Sequence, residues 1–266
     1  MDILAAALLL VAGLTAGFLE GVFGMGGGLV LVPVLLFYAR SVPISSLVAT
    51  HVAMGTSLLV CAFLSGALAW NYRRSGHLIV RGVLFIAPAG IAGAFLGSAV
   101  AAGLEGTSLR NIFAFTLLIA AVRLFSGRRK QGKEQEPNLA PGPLLGTGLL
   151  LGLLSSLSGV GGALVAVPLL YSYMHIPLRK ATGTSSAAIA LTAAAGAASY
   201  LIRGWGSEFL PAGMHGFIDW QAAVPLVLGA VPGVLIGVRL ETKADTGTIR
   251  NVYAVILLVV MLRLFF

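Results

Sequence analysis

Long apolar stretches dominate the chain, and the polar positions that separate them are few and clustered. In the first half the pattern predicts helices from Ile3 to about Leu19, from about Ser46 to Trp70, from about Ile79 to Leu104 and from about Arg110 to Phe125. Turns fall at Ala39-Arg40-Ser41-Val42-Pro43 and at Asn71 to His77, and one longer polar stretch runs from Arg128 to Pro143. Two glycine clusters interrupt apolar runs that would otherwise continue: Gly24-Met25-Gly26-Gly27-Gly28, and Ser158-Gly159-Val160-Gly161-Gly162. Each is followed by a short apolar run with one proline, Leu29 to Tyr38 with Pro33 and Leu164 to Tyr173 with Pro168. We read the clusters as places where helices stop and restart inside a membrane. Runs of about 10 residues reach roughly 15 Å, half of a ~30 Å hydrocarbon core, so they are expected to dip in rather than to cross.

The pattern repeats. Gly17, Gly24, Gly26, Gly27, Leu29, Pro33 and Tyr38 recur 135 residues later as Gly152, Gly159, Gly161, Gly162, Leu164, Pro168 and Tyr173. Pro43 and Thr50 recur as Pro177 and Thr184 at 134, and Gly93, Gly97, Arg110, Asn111, Arg123, Leu124 and Phe125 recur at 140. The extra residues of the second half are expected in the loop Arg203 to Gly216, where insertions are tolerated. The chain therefore divides into a first transmembrane repeat over 1–127, a polar cytoplasmic linker over 128–142 and a second repeat over 143–266.

Composition settles the class: 58% hydrophobic and 10% charged residues exclude a soluble globular protein, in which roughly a quarter are charged. The predicted fold is an all-α polytopic membrane protein. Its net charge of +8 then bears on topology and does not imply nucleic acid. With five elements per half the repeats are inverted, and the 17 basic residues divide 13 against 4 between the two sides; four elements per half gives 10 against 7. The first division is expected, with the linker cytoplasmic and both termini outside. Met1-Asp2 supplies no basic n-region, so a cleaved signal peptide is not expected. The single cysteine, Cys61, excludes an internal disulfide and a thiolate metal cluster, and reads as a small apolar residue.

The chemistry follows from the breaks. Irregular backbone at membrane depth persists only where protein covers it or where it lines a cavity, and the N–H groups of a restarting helix favour an anion. Candidate substrate-binding residues are Gly24, Gly26, Gly27, Gly28, Gly159, Gly161 and Gly162, with hydroxyls from Thr50, Thr184, Ser185 and Ser186 and a donor from His51. No Arg or Lys lies in the middle of a predicted span. Glu20, beside the first break, is an acid at membrane depth, which costs about 3 kcal/mol unless partnered or protonated. It reads either as a proton-coupling site, with His51 as the second candidate, or as an acid that lies near the surface or caps a helix start. Small residues at Ala89, Gly93 and Gly97, and at Gly229, Gly233 and Gly237, predict close helix packing.

The paired pattern Gly17…Gly24-Met25-Gly26-Gly27-Gly28…Pro33 and Gly152…Gly159-Val160-Gly161-Gly162-Ala163…Pro168, with Ala181-Thr182-Gly183-Thr184-Ser185-Ser186, resembles the TauE/SafE sulfite exporter family along essentially the whole chain. The resemblance implies a secondary transporter of the bacterial or archaeal inner membrane that moves small sulfur-containing anions such as sulfite or organosulfonates, often outward. It implies no cofactor. The first half departs from the second in having His51 where Ser185 stands and Glu20 where Ser155 stands. The partners expected are a sulfur oxyanion or sulfonate and the lipid bilayer, with a homodimer left open. A membrane-embedded lipid-phosphate hydrolase and an anion channel are the alternatives; hydrolysis lacks a buried arginine to complete its set.

Overall fold

The computed structural model describes residues 3–24, 27–42, 44–126, 137–207, 210–211 and 214–241, and these form nine helices. They are α1 (Ile3–Phe23), α2 (Gly28–Tyr38), α3 (Ser46–Arg74), α4 (Val80–Ala102), α5 (Gly106–Ser126), α6 (Pro141–Ser158), α7 (Ala163–Tyr173), α8 (Leu178–Arg203) and α9 (Trp220–Glu241). Six of them, α1, α3, α4, α6, α8 and α9, are long and apolar enough to cross a membrane. Gly26, Pro43, residues 128–136 of the linker and the predicted last helix with Arg250 and Asn251 lie outside the described residues. α1 runs past the expected end at Leu19, and α3 past Trp70 to Arg74. α5 starts at Gly106, a turn before Arg110. The linker ends sooner than its expected limit, because Pro141 opens α6; proline suits a first helical turn, where its missing N–H is not needed.

Glycines set the helix pairs. Gly13, Gly17 and Gly21 of α1 meet the backbone at Leu226, Ala230 and Val234 of α9, and Gly229, Gly233 and Gly237 meet Leu10, Leu14 and Phe18 in return. The same contacts join α4 and α6: Gly148 and Gly152 meet Ile86 and Gly90, while Gly93 and Gly97 meet Leu149 and Leu153. In both pairs the numbers rise together, so the helices run parallel. Without a strong hydrophobic drive between helices in lipid, such close backbone approach supplies much of the association. α1 thus pairs with α9, and α6 with α4.

The central pair is α3 and α8, which run antiparallel: Gly55 lies against Tyr200, Leu58 against Gly196, Ala190 near Gly66, and Tyr72 against Gly183. These contacts also correct the register of the repeat. Gly55 meets Phe217 and Tyr200 as Gly183 meets His77 and Tyr72. Thr56 Oγ1 accepts the Asp219 N–H at 2.9 Å as Thr184 Oγ1 accepts the Ile79 N–H at 3.0 Å. Gly55-Thr56-Ser57 therefore corresponds to Gly183-Thr184-Ser185, a separation of 128 rather than 134. His51 stands opposite Arg179 and Thr50 opposite Leu178, not opposite Ser185 and Thr184. Since the separation is 140 across α4 and α9, the second half carries twelve extra residues between its third and fourth helices, where the loop after Arg203 lies.

Candidate functional site

The two breaks meet at the centre of the protein. Gly28, at the start of α2, packs directly on the second break: a side-chain carbon there would fall 2.5 Å from Val160 Cα and 2.9 Å from the Gly159 carbonyl oxygen. Both breaks begin alike. α1 ends as the Gly24 N–H donates to the Glu20 carbonyl at 2.7 Å with Gly24 at φ +62°, and α6 ends as the Gly159 N–H donates to the Ser155 carbonyl at 2.8 Å with Gly159 at φ +70°. Such left-handed caps favour glycine. Gly27 and Gly162 accept the first backbone bonds of α2 and α7, but from different conformations: Gly27 is right-handed at φ −61° and Gly162 left-handed at φ +78°.

One helix reads both breaks. Ser57, Cys61 and Ser65 are spaced by four residues and share a face of α3. Ser57 Oγ donates to the Gly159 carbonyl at 2.8 Å, which satisfies an acceptor left free by the end of α6. Ser65 Oγ donates to Glu20 Oε1 at 2.7 Å, and the Gly27 N–H donates to Glu20 Oε2 at 2.6 Å. The Cys61 thiol lies between them beside Ser57 and the Gly28 N–H, facing Gly161. Eight residues separate Ser57 from Ser65, about 12 Å along the axis, in the middle of a 29-residue helix.

Glu20 is 3% exposed, and each of its carboxyl oxygens has a hydrogen-bond partner, the Gly27 N–H and the Ser65 hydroxyl. It therefore caps the restart of α2. It has company: Asp219, ahead of α9, is 4% exposed and its Oδ1 accepts the Ala222 N–H at 3.0 Å. Burial pushes the Asp219 carboxyl above its ordinary value, although backbone donors pull it back.

The other sequence candidates divide. Gly28 lies on Gly159 and Val160, Gly161 faces Cys61, Gly27 and Gly162 lie against Glu20 and Ser155, and Gly24 lies against the methyl of Thr182. Thr184 accepts the N–H at the start of α4 instead. Ser185 and Ser186 donate to the Thr182 carbonyl within their own helix, at 3.0 and 2.8 Å. Thr50 is buried on α3, seven residues before Ser57. His51 is six residues before Ser57; its Nε2 lies 3.1 Å from the Ala101 carbonyl at the end of α4, and its ring is 5.4 Å from that of Phe217. Sequence reasoning missed Ser57, Ser65 and Thr182, and took Cys61 as packing. The four-residue spacing from Ser57 to Ser65 was the available signal.

A family model described as "Sulfite exporter TauE/SafE" matches residues 9–264. A probable membrane transporter protein of Haemophilus influenzae is 27% identical over 97% of this chain and 97% of its own length. The probable membrane transporter protein YunE of Bacillus subtilis is 28% identical over 95% of this chain and 94% of its own. One from Methanocaldococcus jannaschii is 26% identical over 89% and 88%. No solved structure matches the chain.

Proposed function

The chain belongs to the TauE/SafE sulfite exporter family of multi-pass membrane transporters, and from that premise we propose that it exports small sulfur-containing anions such as sulfite or organosulfonates by alternating access. It is a transporter rather than an enzyme. The observation that carries the finer reading is the contact of Gly28 on Val160, which sets two irregular backbone segments against each other at the middle of the bundle. Backbone of that kind belongs at a binding cavity in a membrane protein, and discontinuous helices at the interface of repeats are where secondary transporters hold their substrates.

Two further observations support the reading. The equivalent helices α3 and α8 pack antiparallel, as inverted halves would. Hydroxyl and backbone donors without a fixed cation suit a protein that must release the anion it binds. In this reading the repeats rock about the α3–α8 pair in a bacterial or archaeal inner membrane, the linker is cytoplasmic, and Glu20 takes up the coupling proton. A proton on Glu20 would exchange an acceptor for a donor facing the Gly27 N–H and so loosen the first break.

Flux of labelled sulfite, sulfoacetate and sulfate in proteoliposomes, with and without an imposed pH gradient, tests this function. Saturable flux of a sulfur anion that follows the gradient, and loses the dependence in Glu20→Gln, is expected. Flux that ignores the gradient in the wild type removes Glu20 from coupling, and absence of flux for all three anions in folded protein removes the substrate class.

A further inference from the structure

The segments that lead into α4 and α9 are built alike, and each is fastened to a helix of the other repeat. Before α4, Gly76 turns the chain at φ +71° and the His77 N–H donates to the Tyr72 carbonyl at 2.9 Å. The His77 carbonyl then presses on Gly183 of α8, beside the Tyr72 side chain. Before α9, Gly216 turns the chain at φ +61° and the Phe217 N–H donates to the Tyr200 carbonyl at 3.2 Å. The Phe217 carbonyl presses on Gly55 of α3, beside Tyr200. Two residues on, Thr184 accepts the Ile79 N–H and Thr56 the Asp219 N–H, and both threonines are buried. The separations are 140 for the turns, as from Gly76 to Gly216, and 128 for their partners, as from Tyr72 to Tyr200. One contact is thus made twice.

The two copies stand at opposite ends of the α3–α8 pair. Seventeen residues separate Gly55 from Tyr72, about 25 Å along the axis, and between them α3 touches the breaks through Ser57 and Ser65. Each copy fastens the start of one close-packed pair to the centre: Asp219 precedes α9, which packs on α1, and Ile79 precedes α4, which packs on α6. α1 ends at the first break and α6 at the second. A pair freed at its start would therefore carry one break away from the other. One neutral hydrogen bond and a carbonyl set on a glycine part at small cost, whereas the glycine contacts of α1 on α9 run from Gly13 to Gly21.

We propose that these contacts are the two latches of alternating access, and that each must release before its side of the breaks opens. α6 follows the linker and starts at the end where α4 starts, so Thr184 latches the linker's side and Thr56 the opposite one. The inference rests on the alternating-access reading above and supplies its moving parts. Both latches are formed in this structure, as a state closed to both sides requires.

Cys61, the single cysteine, is buried between the latches and serves as the probe. Its labelling by a membrane-impermeant methanethiosulfonate, applied to right-side-out and to everted vesicles carrying the full chain, tests the latches without any substrate. Thr56→Val keeps the side-chain shape and loses the acceptor. It is expected to speed labelling about fivefold from the face opposite the linker only, the shift that loss of one neutral hydrogen bond gives. Thr184→Val is expected to do the same from the linker's face only. Thr56→Ser and Thr184→Ser, which keep the acceptor, are expected to label as the wild type does. Thermal unfolding establishes that each variant is folded; where one valine variant is not, the sidedness of the other decides. Labelling that rises equally from both faces, or in neither variant, overturns the latches, and wild-type flux of a sulfur anion then leaves the transport reading standing. Sided labelling in a protein that moves none of the three anions upholds the latches and overturns the substrate class.

Discussion

The two breaks end their first helix in the same way, on a left-handed glycine, and differ in how the chain restarts and in what holds it. The first is pinned by an acidic side chain: Glu20 joins the restart at Gly27 to α3 through Ser65. The second is tied by one neutral bond, Ser57 to the Gly159 carbonyl, and its Glu20 equivalent, Ser155, donates to nothing. The two segments share the left-handed cap that ends the preceding helix, at Gly24 and Gly159, and differ in the restart and in the polar groups around it. The difference teaches that similar caps do not bring similar polar surroundings: Glu20 has a partner on each oxygen, whereas the Ser155 hydroxyl has none.

The contact between the breaks is the first place to disturb this arrangement. Gly28→Leu is expected to have the largest effect, loss of transport to background, because its side chain would enter the backbone of Val160 and force the breaks apart. Flux in proteoliposomes measures this; a Gly28→Leu protein with wild-type flux would remove the junction from the path. Next is Glu20→Ala, which leaves the Gly27 N–H and the Ser65 hydroxyl without their acceptor and is expected to lower stability by about 3 kcal/mol. Thermal unfolding in detergent reads it, and an unchanged midpoint contradicts the role given to the carboxylate.

The equivalent change in the second repeat should go the other way. Ser155→Ala removes a hydroxyl that has no partner, and in anion-free protein it is expected to stabilise by about 1 kcal/mol. Opposite signs at two corresponding positions are the sharpest form of the comparison; equal losses in Glu20→Ala and Ser155→Ala would erase it. The smallest effect is expected from Ser57→Ala, about 1 kcal/mol of destabilisation for one neutral hydrogen bond to Gly159, seen as a small downward shift of the unfolding midpoint.

Much of this was legible in the sequence, and the parts that were not have physical reasons. The breaks could be read because glycine clusters followed by proline contradict an unbroken helix in lipid, and the glycine stripes on α4 and α9 could be read from their four-residue spacing. The register of α3 on α8 could not. Both helices are rich in Ala, Ser, Thr and Gly, so chance agreement at Thr50 and Thr184 competes with the true match of Gly55-Thr56-Ser57 and Gly183-Thr184-Ser185. That slip paired His51 with Ser185 and directed attention to hydroxyls that bond their own helix or cap α4. Ser57 and Ser65 were not legible because a serine in a membrane helix looks the same whether it packs, bonds its own helix or reaches another segment. Only its surroundings tell these apart. Glu20 was recognised as exceptional, but its place as a cap depends on Gly27 and Ser65 arriving from two other segments.

The central claim is that the junction of the two breaks carries the transported anion. It is tested most directly by counterflow of labelled sulfite into proteoliposomes loaded with unlabelled sulfite, comparing the wild type with folded Gly28→Leu and Ser155→Gln. The account predicts saturable exchange in the wild type and background in both variants. Saturable exchange that survives both substitutions would contradict it.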